Sequence, residues 1–350
     1  MAVAINKGVF IVAAKRTPFG KMGGLLKDMH PSDLLAVAAK DAFKAGNVAP
    51  DLIDTANIGQ VYSISGTSDG GLSPRHAALK SGVPQEKPVL GVNRLCGSGF
   101  QAVINSAQDI MTGVAQVSLA GGTENMSAVP FVVRNTRFGV PLGVNLPFED
   151  MLSAGSLDSY CNFTMPQTAE NLAEKYQLKR SEVDEFSLES QRRWKVVVGT
   201  AGNSSGVNDG AGALIVASEE AVKQHSLTPL VRLRGWSFVG VDPSVMGIGP
   251  VPAIQGLLSA TGLKLGDIDL IEINEAFASQ TLACVKELGI DLSKLNVNGG
   301  AIAIGHPVGA SGARITAHLA HELRRRGLKR AIGSACIGGG QGIALLLESV

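Results

Sequence analysis

Charge is scarce in this sequence. Lys, Arg, Asp and Glu make up 17% of its 350 residues, against about 25% in an ordinary soluble chain, while apolar residues reach 45%, so a disordered or solvated array is excluded and a well-buried core is expected. With 31 basic and 30 acidic residues and a net charge of +1, the chain has no broad basic face for nucleic acid or anionic membranes. Cysteine is sparse as well. Cys96, Cys161, Cys284 and Cys336 lie far apart with no C-x-x-C pair, which argues against a disulfide framework and against a metal site, and fits a reducing compartment. No apolar run approaches the roughly 18 residues of a transmembrane helix, and the start MAVAINKGVFIVAAKRTPFG has no small-residue cleavage site after a hydrophobic core, so secretion is not expected. That start also lacks any acid before Asp28 while carrying Lys7, Lys15, Arg16, Lys21 and Lys27. This is the balance of a mitochondrial import signal, although Gly8 to Ala14 reads equally as a first buried strand.

Glycine, by contrast, is abundant. Its 43 residues are about 12% of the chain against a usual share of about 7%, with no three-residue period, and clusters such as Gly338, Gly339 and Gly340 read as tight functional turns. At roughly 150 residues per domain the length fits two domains or one large α/β unit of two halves. Strand-length apolar runs at Val9 to Ala14, Val117 to Ala120, Ala213 to Ala217, Ile268 to Ile273, Ala331 to Ala335 and Ile343 to Leu347 alternate with segments of helical period, which predicts α/β layers. Phe100, Val103, Ile104, Ala107, Ile110 and Met111 share one helical face, and so do Ile315, Leu319, Ala320 and Leu323. Both helices begin at Ser-Gly, each after a Val-Asn and a Gly-containing turn and each before a short strand ending near glycine. From Gly99 to Ala120 is 21 positions and from Gly312 to Ala335 is 23, so an internal duplication is expected, with the two turns meeting across a pseudo-twofold axis. Thr123 to Ser205, richer in Asn, Arg and Pro and with a helix expected over Thr168 to Trp194, reads as an insertion.

Four segments carry chemistry. Cys96 stands in Asn-Arg-Leu-Cys-Gly-Ser-Gly at the entry to a helix, where the helix N-terminus and free backbone N–H groups stabilise a thiolate; it reads as a nucleophile, with a buried structural cysteine as the alternative. His306, in Gly-His-Pro-Val-Gly-Ala-Ser-Gly, is held on a rigid turn from which it can activate a thiol or bind an oxyanion, or simply bond to backbone. Cys336, in Ser-Ala-Cys-Ile-Gly-Gly-Gly-Gln-Gly, suits proton transfer beside glycine N–H groups that can form an anion nest. Asn274, in Asn-Glu-Ala-Phe-Ala, can hold a water or an oxyanion, or merely cap a helix.

Taken together, NRLCGSG, NEAFA, GGAIAIGHPVGASG and SACIGGGQG resemble the thiolase family, in particular its mitochondrial members that act on 3-ketoacyl-CoA. The resemblance runs over nearly the whole chain with the motifs in the family's order. It implies a five-layered αβαβα thiolase fold of two similar halves, residues 1–122 plus 206–230 and residues 231–350, around a loop domain at 123–205. It implies thiolytic cleavage of 3-ketoacyl-CoA to acetyl-CoA and a shortened acyl-CoA in fatty-acid β-oxidation, with coenzyme A as co-substrate, no permanently bound cofactor, no metal, and a homodimer or homotetramer in the mitochondrial matrix; a peroxisomal or cytoplasmic location is the alternative. By matching position Cys96 carries the acyl group, Cys336 is the acid/base, and His306 with Asn274, through a water, forms one oxyanion hole. The N–H groups of Cys96 and Gly338 form the other. Ser205 meets the pantetheine, and Met165, Met246 and Phe277 lie near the acyl and pantetheine tunnel, ordinary packing being the other reading of the methionines. Thr164 stands where some short-chain relatives carry histidine, which disfavours an acetoacetyl-specific enzyme.

The sequence departs from the family in one place. After Gln191-Arg192-Arg193-Trp194-Lys195 the family continues for several tens of residues, including a segment against the adenosine end of coenzyme A, whereas here the chain passes almost directly to Gly199-Thr200-Ala201-Gly202. The loop domain is therefore shortened near 195–199. The rival readings are a biosynthetic acetoacetyl-CoA thiolase, and a catalytically impaired, thiolase-like binding protein.

Overall fold

The structure, a computed structural model, describes residues 1–62, 69–194 and 202–350. Its frame is a continuous ladder of strands made of two units with the same order and polarity. In the first, Val89–Val92, Thr55–Gly59 and Val117–Asn125 run parallel, followed by Asn208–Ser218 and Val9–Arg16, each antiparallel to its neighbour. In the second, Leu295 bridges Ile271 in parallel, and Leu270–Ile273, Arg330–Ile337, Gln341–Ser349 and Val231–Gly240 follow with the same parallel, antiparallel, antiparallel sequence. The units join through Val231 opposite Ile11 and Arg232 opposite Phe10. The expected duplication is thus present in the topology itself.

Apolar faces stack these elements into five layers. Phe100, Val103, Ile104 and Ile110 of helix Ser98–Thr112 and Ile315, Leu319 and Leu323 of helix Ser311–Arg326 pack between Leu214 and Val216 of one sheet and Ile343, Leu345 and Leu347 of the other. On the outer face of the first sheet, Leu34, Leu35 and Phe43 of helix Pro31–Gly46 cover Ala213 and Ile215. On the outer face of the second, Ile254 and Leu257 of helix Pro250–Thr261 and Cys284 of helix Ala278–Leu288 cover Ile332, Ala344 and Leu346. Strand alternation sends odd and even residues to opposite layers, which is why both faces of each sheet read as apolar.

The expected helix over Thr168 to Trp194 is in fact two, Met165–Lys175 and Arg180–Trp194. Gln177 takes a left-handed φ of 51°, and Glu182 reaches back to accept from the Lys179 N–H at 2.8 Å, so the second helix starts afresh with its own cap. Strands Thr55–Gly59, Val89–Val92 and Val231–Gly240 were not legible as apolar runs. Asn57 is buried because its amide bonds to Ser106 and Asp109, and Val231–Gly240 carries a bulge between Leu233 and Gly235 that breaks its alternation. Between Arg330–Ile337 and Gln341–Ser349 lies only a glycine turn, whereas the equivalent strands of the first unit are separated by residues 126–207.

The two central helices touch at their starts. A Cβ on Gly99 would sit 2.5 Å from the Ala313 nitrogen, and one on Gly312 would overlap the Phe100 nitrogen. We therefore expect Gly312→Ala, which gains helix propensity on an exposed helix, to destabilise this one by about 1–3 kcal/mol. Urea unfolding checks it, and an unchanged midpoint would show that the helices part without strain.

Candidate active site

The turn from Val89–Val92 into helix Ser98–Thr112 holds Cys96 under tension. Leu95 has a φ of 46°, a conformation that costs a bulky residue about 1–3 kcal/mol. Ser98 locks it in place, its Oγ accepting from the Arg94 N–H at 2.9 Å and donating to the Leu95 carbonyl at 2.7 Å, while the Leu95 N–H donates to Asn93 Oδ1 at 3.0 Å. Cys96 packs on a cluster of Val61, Met126 and Val308, on which Tyr62 and Leu152 also lie. Burial pushes the Cys96 pKa up to about 11, against the opposing pull of the Gly338 N–H and its own N–H, with the Glu124 carboxylate adding to the rise. The expectation that the helix N-terminus would favour the thiolate is corrected here: without a ligand, desolvation outweighs the backbone donors.

Cys336 ends strand Arg330–Ile337 and is fully buried beside Met246 and Ala276, with Met165 and Phe277 packed on it. Burial first, then the neighbouring Cys96 and Cys284 thiols, hold its pKa well above the ordinary value. The glycine turn that follows needs glycine: Gly339 and Gly340 have φ of 74° and 76°, and Gly338 lies against Leu95 and Met165 Sδ. Six of the expected residues, Cys96, Cys336, Gly338, Met165, Met246 and Phe277, therefore share one contact network.

His306 completes the wall from the second half. Its Nδ1 is 2.6 Å from Ser311 Oγ, which is itself 3.1 Å from the Pro307 carbonyl. A hydroxyl must donate to a carbonyl, so Ser311 accepts from Nδ1–H, and Nε2 is left as a bare acceptor. That nitrogen is 3.4 Å from Asn274 Nδ2, and burial lowers the imidazole pKa to about 4. In its resting form His306 is thus neutral with Nε2 as an acceptor, and it can donate from Nε2 to an oxyanion only after that nitrogen has taken a proton. Asn274 is anchored by its N–H to the Ser334 carbonyl at 2.9 Å, and its Oδ1 has no protein partner among the described residues. Ser205 donates from both N–H and Oγ to the Ala276 carbonyl, at 3.1 and 3.2 Å, beside Phe277.

Three supports escaped sequence reasoning. Glu124 Oε2 accepts from the Val61 and Gly309 N–H groups at 3.1 and 3.0 Å, joining the Cys96 wall to the His306 loop. Asn208 Oδ1 accepts from the His306 N–H at 3.2 Å, against a Gly305 whose φ is 105°. Glu275 accepts from Ser190, Asn296 and the Ile302 N–H, at 2.7 to 3.1 Å. The available signal was an acid or amide inside an apolar strand or beside a motif residue. The junction at 195–199 lies outside the described residues. Among the described residues no cluster of His, Cys, Asp or Glu could hold a metal ion.

A thiol on a strained turn, a second thiol beside it, a neutral imidazole and backbone N–H donors form a set that can move an acyl group through a cysteine. The comparisons name the family. The thiolase N-terminal domain matches residues 9–198 and the thiolase C-terminal domain residues 227–349. The human mitochondrial 3-ketoacyl-CoA thiolase is 49% identical over 397 positions, covering 99% of this chain and all of that one. The acetyl-CoA acetyltransferase of Cupriavidus necator is 40% identical, covering 97% and 99%. The crystal structure of the human mitochondrial 3-ketoacyl-CoA thiolase in complex with CoA superposes with a TM-score of 0.96, at 99% coverage of both chains and 49% identity. The chain belongs to the thiolase family. An alignment of 397 positions on 350 residues leaves at least 47 positions of the human relative without a counterpart here, in keeping with a shortened loop domain.

The raised thiol pKa gives a direct check. Iodoacetamide labelling of Cys96 in ligand-free protein, read by peptide mass spectrometry, is expected to climb about tenfold per pH unit from roughly pH 8 to 10 and to level off only near its pKa of about 11. A plateau already reached by about pH 8 would mean the backbone donors win.

Proposed function

We propose that the protein cleaves 3-ketoacyl-CoA with coenzyme A, giving acetyl-CoA and an acyl-CoA shortened at the thioester end, as the degradative step of fatty-acid β-oxidation. The observation that carries this is the neighbouring pair Cys96 and Cys336, with the neutral His306 two residues before the Val308 that packs in the same cluster as Cys96, within a chain 49% identical to the human mitochondrial 3-ketoacyl-CoA thiolase over its full length. Cys96 transfers its proton to His306 Nε2 and attacks the ketone carbon. The imidazolium so formed, with Asn274 acting through a water, donates to the oxyanion. Collapse breaks the carbon–carbon bond toward the thioester, and Cys336 protonates the departing acetyl-CoA enolate, leaving an acyl-Cys96 thioester and a Cys336 thiolate. That thiolate takes the proton of incoming coenzyme A. The new thiolate attacks the acyl group, the second oxyanion sits between the N–H groups of Cys96 and Gly338, and Cys96 leaves, recovering its proton from His306. Each oxyanion donor contributes about a hundred- to a thousandfold in rate.

Neutral resting thiols suit this cycle, because every charge appears only as its partner forms. Coenzyme A is consumed as substrate. Ser205, Met165, Met246 and Phe277 supply its pantetheine and acyl surroundings, supported by their packing around Cys336 and Ala276. Residues 1–122 with 206–230 and residues 231–350 act as the two catalytic halves, with 123–205 as the inserted loop domain; the repeated strand order supports this division. The mitochondrial names of the relatives support a place in the matrix, and the family supports a homodimer or homotetramer. No helix among the described residues is long and apolar enough to cross a membrane.

Incubation with 3-ketoacyl-CoA in the absence of free coenzyme A should leave an acyl mass on the Cys96 peptide. Cys336→Ser should still accept that acyl group from an acyl-CoA but turn over at least about a hundredfold more slowly, while Cys96→Ala should be inactive. Label confined to Cys336 or Cys284 would reassign the nucleophile. A rate profile favouring acetoacetyl-CoA over longer chains would instead support the biosynthetic reading.

The shortened loop domain generates a separate expectation. Binding energy lost at the nucleotide end of coenzyme A is uniform over ground and transition states, so it raises KM more than it lowers kcat. Coenzyme A and truncated pantetheine thioesters should therefore differ less here than in a version with the family segment restored. Equal KM values for coenzyme A in the two chains would refute this.

A further inference from the structure

A cavity of about 1070 Å³ opens at the base of the loop domain, lined by neither thiol and by neither His306 nor Asn274. Ordinary small-molecule sites run to roughly 1,000 Å³. Its walls are mostly apolar, and its principal cation is unusual. Arg16 lies between two rings, 5.4 Å from the centre of Phe19 and 5.5 Å from that of Trp194. One of its nitrogens donates to the Thr17 carbonyl at 2.9 Å. The described residues give its remaining N–H groups no hydrogen-bond partner and give it no carboxylate. Arg314, whose own pKa is lowered by burial and then by Arg16, adds to the local positive charge and is already committed to Glu272. Lys21 and Lys27 stand on the cavity's lining, with Asp28 as its sole acid.

A partly buried guanidinium stacked on aromatic faces presents a flat fork of donors, the geometry that carboxylates fill with two parallel hydrogen bonds. The rest of the lining suits an aliphatic body: Ile302 and Ile304 on one side, and on the rim Leu25, whose whole surface is open to solvent. We propose that this cavity is a second ligand site that takes an alkyl carboxylate, with its head group on Arg16 and its chain along Phe19, Trp194 and Ile304. The chain end reaches Gly305, the residue before His306, so an occupant of this site borders the backbone that carries the imidazole. The ligand class is that of the free acid released when the enzyme's own acyl product is hydrolysed. This site is separate from the one that performs the cleavage: its fit to an alkyl carboxylate is argued from Arg16 and the lining, and only the link to the acyl product rests on the proposed reaction.

Dodecanoate is the probe, titrated into the full chain by calorimetry with Trp194 fluorescence followed in parallel. It should bind with a change in that fluorescence, at least about tenfold more tightly than uncharged dodecanol, and Arg16→Gln should weaken it by about tenfold or more. Arg16→Lys, which keeps the charge but not the fork, should fall between the two, and it serves as the test if the glutamine variant does not fold. Binding should persist in Cys96→Ala protein saturated with a long-chain acyl-CoA, which fills the acyl tunnel. Equal affinity for dodecanoate and dodecanol, unchanged affinity in both Arg16 variants, or loss of binding when acyl-CoA is present would each overturn the proposal.

Discussion

Everything at the catalytic centre depends on how closely two helices approach at their first turns. Gly99 and Gly312 let the backbones of Ser98–Thr112 and Ser311–Arg326 meet with no side chain between them, and Gly122 repeats the device where a Cβ would overlap the Gly309 carbonyl. Cys96 is two residues before one helix and His306 five before the other, so the backbones that carry these two side chains are placed by a backbone contact. Side-chain packing adjusts by rotamer changes, whereas backbone against backbone has no such freedom. The duplication explains why the contact is reciprocal: each half contributes the same Ser-Gly start to a shared axis.

That approach has an electrostatic cost, which the site meets by staying neutral. Burial holds both thiols protonated and the imidazole unprotonated, so the resting centre contains no uncompensated ion among these groups. The acids nearby are spent on structure. Glu124 faces two backbone N–H groups and Glu275 faces two side chains and one. Ser311 has a part in this neutrality that its place in a glycine-rich loop hides: by donating to Pro307 it forces the tautomer of His306 that has a lone pair toward Asn274.

The candidate residues were legible because their motifs are local: Cys96 and His306 sit in glycine-containing turns, Asn274 follows strand Leu270–Ile273, and Cys336 lies near the end of Arg330–Ile337 before a glycine turn. The two Ser-Gly starts reveal the duplication. What was not legible is what depends on contact between distant segments. Strand Thr55–Gly59 has a buried Asn57 whose partners, Ser106 and Asp109, lie some fifty positions away, so no window along the chain shows it as a strand. The split at Gln177 was hidden because the helical period continues across it, and only the left-handed residue breaks it. The sign of the Cys96 shift was misjudged for a related reason: a helix N-terminus is visible in sequence, and the surrounding Tyr62, Met126, Leu152 and Val308 that exclude water are not.

The segment that leads to His306 is braced by a helix distant from it in sequence. Helix Arg180–Trp194 places Ser190 Oγ between the Gly300 N–H, at 3.0 Å, and Glu275, at 2.7 Å. Gln191 donates to the Ile302 carbonyl at 3.0 Å, and Arg193 to the Leu295 carbonyl at 2.6 Å. Residues 296–305 form turns around the short helix Ala301–Ile304, and their own backbone meets part of their hydrogen-bonding need, as from the Gly305 N–H to the Ala301 carbonyl. Further partners come from this helix and from Glu275, and the segment they hold ends at His306. The position of the imidazole is thus held from two sides, by helix Arg180–Trp194 with Glu275 behind the segment and by Asn208, whose Oδ1 accepts from the His306 N–H.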